Sequence, residues 1–194
     1  MKAVKRSFPV VFFWAVLLGG ACFAQTLDQS FTGPLEAYWL SSSTVQPMAQ
    51  VYTAGITGNL EFVKISVSAQ SGGPVVVEIL NPNGQGNGTW PLLGFTEIKP
   101  PSQLKCAPTC QLIKARFNPP VSQVAGTQYA IAVYPAYVAQ EWYGSINGSG
   151  QQYPDGGTWV YGPSWVDITG LYPSLPSWEQ VLSFYFQTYV EATR

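Results

Sequence analysis

The residues best equipped for chemistry lie between Tyr134 and Trp165. There Tyr137, Trp142, Tyr143, Tyr153, Trp159, Tyr161 and Trp165 are interleaved with Gly, Ser, Asn and Pro. A regular strand turns every second residue inward, so a turn-rich stretch with this many rings directs some of them to the surface or a groove. A flat aromatic face stacks on the C–H face of a pyranose, while nearby amides and carboxylates hydrogen-bond its hydroxyls. Trp142, Tyr143, Tyr153, Trp159 and Trp165 are the candidate stacking residues, with Asn147, Gln151, Gln152 and Asp155 as polar partners. The competing reading is that the rings close one end of a core, because Trp and Tyr are mostly buried.

Carboxylates are the second resource. Glycoside hydrolysis needs two acids flanking the bond, one with a raised pKa. Glu141 beside Trp142 has an aromatic setting of that kind, with Asp155 or Asp167 as partner. Ten acids in the chain also yield such a pair by chance, so the expectation is a non-enzymatic protein with no cofactor. Calcium stays open, since loops could gather Asp28, Glu36, Asp155 and Asp167. The run Asn81-Pro82-Asn83-Gly84-Gln85-Gly86-Asn87-Gly88 has calcium-loop spacing but no carboxylate, and reads as a hairpin turn. Asn87-Gly88-Thr89 and Asn147-Gly148-Ser149 match the glycosylation pattern and read as turns.

Histidine is absent, which removes His-dependent triads and His metal sites. Charged residues are only 10% of the chain while aromatics are 14% and hydrophobics 46%, a balance opposed to disorder. Lys2, Lys5 and Arg6, the apolar run Val10 to Leu18 and the small residues up to Ala24 form a secretory signal peptide, too short for a membrane span. Cleavage after Ala24 is expected; lipoprotein processing at Cys22 is the rival, opposed by Gly19 where a branched apolar residue is wanted. Removing residues 1–24 from the 194 leaves 170, in which six dispersed basic residues face ten acids. Such a surface does not suit nucleic acid. No second apolar run is long enough to span a membrane. Cys106 and Cys110 then read as a disulfide closing a tight loop in a secreted or periplasmic protein. Zinc would need two more thiol or imidazole ligands, which the chain lacks.

The elements that must position these groups alternate with a period of two. Val63, Ile65 and Val67 oppose Lys64, Ser66 and Ser68, and Tyr129, Ile131 and Val133 oppose Ala130, Ala132 and Tyr134. About eight strands are expected, near 48–54, 59–69, 74–81, 88–98, 110–117, 127–135, 140–147 and 181–190, with a ninth near 158–162. An edge strand followed by irregular chain should fill 25–47. Gly72-Gly73-Pro74, Pro119-Pro120, Gly148 to Gly150 and Asp155-Gly156-Gly157 are the expected breaks. Ser177 to Gln180 could form one helical turn. The pattern predicts a single all-β, jelly-roll-like antiparallel sandwich over 25–194.

Ala49-Gln50-Val51-Tyr52-Thr53-Ala54-Gly55, Val124-Ala125-Gly126-Thr127-Gln128-Tyr129, Tyr153-Pro154-Asp155-Gly156-Gly157 and the closing Leu182-Ser183-Phe184-Tyr185-Phe186 resemble, in this order, the secreted bacterial β-sandwich domains called choice-of-anchor domains. The resemblance runs over most of 48–190, departing where Val181-Leu182 replaces the group's Asp-Leu. It implies an exported, non-enzymatic module associated with the cell surface and carries no catalytic residues. Three expectations follow: binding of carbohydrate or a surface polymer, assembly with another protein subunit, or a glycosidase-like activity.

Overall fold

The computed structural model describes residues 24–32, 36–41, 47–70, 73–83, 89–105, 110–136, 143–149, 152–168 and 183–193, with backbone alone at 36–41 and 143. Among them are fourteen strand segments and no helix. In chain order these are β1 (Thr26–Phe31), β2 (Glu36–Ser41), β3 (Met48–Thr53), β4 (Gly58–Ile65), β5 (Val67–Ser68), β6 (Val75–Leu80) and β7 (Leu92–Ile98). Then follow β8 (Ile113–Gln123), β9 (Gln128–Pro135), β10 (Tyr143–Ser149), β11 (Thr158–Tyr161), β12 (Trp165–Asp167), β13 (Ser183–Phe184) and β14 (Phe186–Ala192).

The alternation read from the sequence sorts side chains onto two sides of each strand. One sheet has the order β1-β14-β4-β8 and the other β12-β11-β3-β9-β6-β7, all antiparallel. Their inward rows form the core of a β-sandwich: Leu60, Val63, Ile65, Phe117 and Phe186 belong to the first sheet, Tyr52, Val77 and Ile131 to the second. Each large apolar side chain buried this way contributes about 1.5–3 kcal/mol relative to exposure. No helix among the described residues is long and apolar enough to cross a membrane.

The third sheet explains why there are more segments than expected. Two long strands were expected at 59–69 and 181–190; both are interrupted, at Ser66 and Tyr185. There β4 and β14 diverge, and β10 lies across their ends. One edge of β10 pairs with β2; the other pairs first with β5 and then with β13. Asn147 sits at the junction. Its N–H donates to Ser66 O at 2.9 Å, its C=O accepts from Tyr185 N at 3.1 Å, and its Nδ2 donates to Ser66 Oγ at 3.1 Å.

Four expectations are corrected. Irregular chain was expected after the edge strand in 25–47, but Glu36–Ser41 forms β2, which pairs with β10 over six positions. The Asn147-Gly148-Ser149 run is not a turn but part of β10, because neighbours on both edges satisfy its backbone. Pro119-Pro120 does not end a strand. The register of β8 against β4 jumps between Arg116 and Val121, so the prolines fall in a bulge where no ladder donor is required. The segment before Leu92, including Trp90, precedes β7 instead of belonging to it. Ser177 to Gln180 lie outside the described residues.

Candidate functional site

The six-stranded sheet has a second, outward face. Ala49 and Val51 of β3, Ala130 and Ala132 of β9 and Leu80 of β6 form a low, mostly small-residue floor there. Trp90, Trp159 and Trp165 pack onto it, each half-buried. Small side chains beneath are what leave room for three indoles above the sheet. Trp159 stands opposite Ala49 on one side and Asp167 on the other, and Trp165 opposite Tyr161, so cross-strand pairing sets all five residues on one face.

The rings have distinct relationships. Trp90 and Trp165 are stacked, with centroids 4.6 Å apart and planes 10° apart. Trp159 meets Trp90 edge-on at 5.1 Å and 65°, and Tyr161 meets Trp165 at 5.3 Å and 61°. Beside them opens a cleft of about 560 Å³. Trp90 and Trp159 line it together with Asp155, Asp167, Gln128 and Gln152, whereas Trp165 supports Trp90 from outside it. Among the described residues the lining includes no Lys or Arg.

The segment Gln152 to Gly157 closes one side and is held by backbone contact. Val51 N–H donates to Gly157 O at 2.8 Å, and Thr53 Oγ1 donates to Asp155 O at 3.1 Å. The approach is so close that a Cβ on Gly156 would stand 1.9 Å from Val51 O, so only glycine fits. Gln50, 0% exposed, ties this segment to the interior: its Nε2 donates to Val51 O at 2.8 Å and Gly157 O at 3.2 Å. Its Oε1 accepts from Phe184 N at 2.8 Å and Thr158 Oγ1 at 3.4 Å.

Of the candidates read from the sequence, Asp155 and Trp159 meet in the cleft with Gln152, and Trp165 stands behind. Trp142, Glu141 and Gln151 lie outside the described residues, as does the side chain of Tyr143, whose backbone pairs with Ser41. Asn147 and Tyr153 do not line the cleft. Asn147 is 6% exposed at the β10 junction. Tyr153 is 4% exposed; its ring meets Phe31 and Phe186 edge-on and its hydroxyl donates to Gln29 Oε1 at 2.6 Å. Burial, followed by the fields of Asp155 and Asp28, pushes the Tyr153 phenol up to about 12. A ring followed by Pro154 and Asp155 looks like a loop residue in sequence, yet here the chain dips into the core for one residue.

Trp90 is the site residue that the sequence reading passed over. Its signal was available: an indole between a Gly/Asn-rich run and Pro91, a position where a strand cannot bury it.

Of the acids considered for calcium, Asp28 is committed locally, with Oδ1 accepting Gly55 N–H at 2.9 Å and Oδ2 accepting Gln123 Nε2 at 2.8 Å. The side chain of Glu36 lies outside the described residues. Among the described residues no three His, Cys, Asp or Glu groups come together as a metal site. Cys110 is buried; Cys106, its expected disulfide partner, lies outside the described residues. No protein-family model matches the chain, and no curated protein sequence does.

Proposed function

We propose that this chain is a secreted, non-enzymatic β-sandwich module that binds carbohydrate or a cell-surface polymer, in the manner its likeness to choice-of-anchor domains implies. The observation that carries this reading is the cleft in which Trp90 and Trp159 present aromatic surface beside Asp155, Asp167, Gln128 and Gln152. Aromatic walls with a few convergent polar groups suit a sugar ring, whose C–H faces stack while its hydroxyls are bonded at the rim. Asp155 is solvent-exposed, where its carboxylate can meet a ligand hydroxyl at the rim of the cleft. Export through the N-terminal signal and a Cys106–Cys110 disulfide belong to the same reading.

The test is a glycan array probed with the mature chain, its Trp159→Ala variant and its Asp155→Asn variant. Binding by the parent and loss in both variants supports the reading, provided both still melt cooperatively. Trp159→Ala should cost less than the about 3–5 kcal/mol of a fully buried tryptophan, because its ring is only half-covered. An array on which the parent binds nothing overturns it.

A second reading, assembly with another protein subunit, has its own support. β7 ends the order of the six-stranded sheet, and Leu92 and Phe95 on it are 51% and 63% exposed. An edge strand with exposed apolar side chains suits strand addition by a partner.

A further inference from the structure

The basic residues are scattered in sequence, but the β4–β8 ladder gathers three of them. Outside residues 1–24 the chain has six, and Lys64, Lys114 and Arg116 share the outer face of the four-stranded sheet. Their strand neighbours Val63, Ile65, Ala115 and Phe117 belong to the core, so alternation sends these three outward. Lys64 stands directly opposite Lys114, and Arg116 opposite Phe62. Like charges directly opposite one another destabilise an antiparallel pair, so the Lys64–Lys114 register works against the fold.

Two rings hold the cations in place. Phe62 and Tyr189, opposite each other on β4 and β14, are stacked with centroids 4.5 Å and planes 18° apart. Lys114 Nζ lies 3.8 Å and Arg116 Cζ 5.6 Å from the centroid of Phe62, and Lys64 Nζ lies 4.7 Å from that of Tyr189. Phe62 is 4% exposed although it stands on the outer face, because the cationic side chains roof it. Lys64 Nζ also donates to the Tyr189 hydroxyl at 3.3 Å, which donates in turn to Gln187 Oε1 at 3.0 Å. The charges so positioned remain in reach of solvent: Lys114 and Arg116 are exposed and Lys64 is half-buried. One carboxylate already stands among them. Glu61 Oε2 accepts from Arg116 Nη1 at 3.0 Å, a bond that uses one of the five guanidinium donors.

We infer that this face binds an acidic polysaccharide, a chain with one carboxylate on each sugar ring, through Lys64, Lys114 and Arg116. Lys64 and Lys114 are on strands about 4.8 Å apart, and Arg116 lies about 7 Å further along β8. Three cations at these spacings meet successive carboxylates of an extended chain with charge-assisted hydrogen bonds. Side chains already fixed on the rings lose little freedom when the polymer arrives. Nucleic acid fits less well: three cations neutralise few phosphates, and ten acids against six bases repel a polymer of dense negative charge. The surface is on the opposite sheet from the cleft, so the inference does not rest on the cleft's role.

The experiment is biolayer interferometry of the immobilised mature chain against polygalacturonate, its methyl ester and duplex DNA. The expected result is binding of polygalacturonate but not of the uncharged ester, weakening as salt screens the contacts. The double variant Lys64→Gln, Lys114→Gln should weaken binding at least about tenfold, since two charge-assisted contacts are lost. Lys64→Arg with Lys114→Arg should retain it, and so should Lys99→Gln with Lys105→Gln, which changes charge elsewhere. If the first pair fails to melt cooperatively, Arg116→Gln takes its place with the same expectation. Trp159→Ala should bind as the parent does, which separates this face from the cleft. Equal binding of the ester, unchanged binding in the Gln variants, loss in Trp159→Ala, tighter binding of DNA, or no binding of polygalacturonate each overturns the inference. None of these decides the cleft reading, whose test is the glycan array with the Trp159 and Asp155 variants.

Discussion

Trp90 and Trp165 lie parallel at 4.6 Å although they belong to distant parts of the chain, one leading into β7 and the other opening β12. The pair joins the two outer borders of the six-stranded sheet above its alanine floor. A double-mutant cycle with Trp90→Leu and Trp165→Leu should therefore give a coupling of about 0.5–1.5 kcal/mol in denaturant unfolding. Independent contributions from the two rings would contradict the stacking. Trp165→Leu should also weaken ligand binding less than Trp159→Leu, because Trp165 braces the wall that its neighbours form.

Gly156 is the point of closest backbone approach between the cleft loop and β3. Gly156→Ala should cost about 1–3 kcal/mol, as overpacking does when the obstructing atom is backbone. The loop must lift to relieve the contact and takes Asp155 with it. Chemical denaturation measures the first effect and loss of ligand affinity the second.

Gln50 offers a sharper test of how the site is held. Gln50→Leu keeps much of the volume but leaves Phe184 N–H without its side-chain acceptor. The cost should be at least about 2 kcal/mol, since a buried group left unpaired loses about 1–3 kcal/mol. A variant as stable as the parent would show that these bonds contribute nothing net.

Alkaline pH should probe the core through Tyr153. Its phenol is pushed up from 10 to about 12, chiefly by burial and then by the fields of Asp155 and Asp28. Tyr52 and Tyr134 also rise, again with burial as the first cause. The native state thus keeps protons that the unfolded chain has already released. Stability is intact below pH 10 and falls as pH climbs between about 10 and 12. Urea titrations across that window measure the slope, and Tyr153→Phe should flatten it. The same substitution should cost about 1 kcal/mol at neutral pH through the lost bond to Gln29.

Phe95, at 63% exposure on the terminal strand of its sheet, tests the assembly reading. Phe95→Lys should change stability by no more than about 0.5 kcal/mol. If β7 is a contact edge, the substitution abolishes concentration-dependent association in sedimentation velocity and spares glycan binding. Unaltered association in the variant removes β7 from consideration.

The sandwich was legible in the sequence because period-two alternation is a local property. Val63 and Ile65, or Ile131 and Val133, declare their inward side without reference to any partner strand. The third sheet was not legible, because β10 takes its place from the divergence of β4 and β14, a tertiary event with no local marker at Ser66 or Tyr185. Prolines 119 and 120 misled for a related reason: their acceptability depends on a register jump across the ladder. At the site, Trp159 and Asp155 were foreseeable as members of a turn-rich aromatic stretch. Trp90 carried a local signal of its own, but its meeting with the others was not legible, because it comes from elsewhere in the chain and reaches them only through the sheet. Asn147 and Tyr153 have the residue types of a binding loop, and only their neighbours, Ser66 and Gln29, show that they are internal supports.

One side chain gives the cleft its mechanical character. Gln50 points into the sandwich while its neighbour Val51 paves the recess outside, and the same amide grips both the recess loop and the chain entering β14. The recess consequently has no independent way to melt: loosening it means breaking bonds in the protein's spine. Amide exchange at Val51 and Phe184 should then slow to the rate of whole-molecule opening. Under the binding role proposed above, a seat so firmly built is ready before its guest arrives, and little ordering entropy is left to be lost on binding.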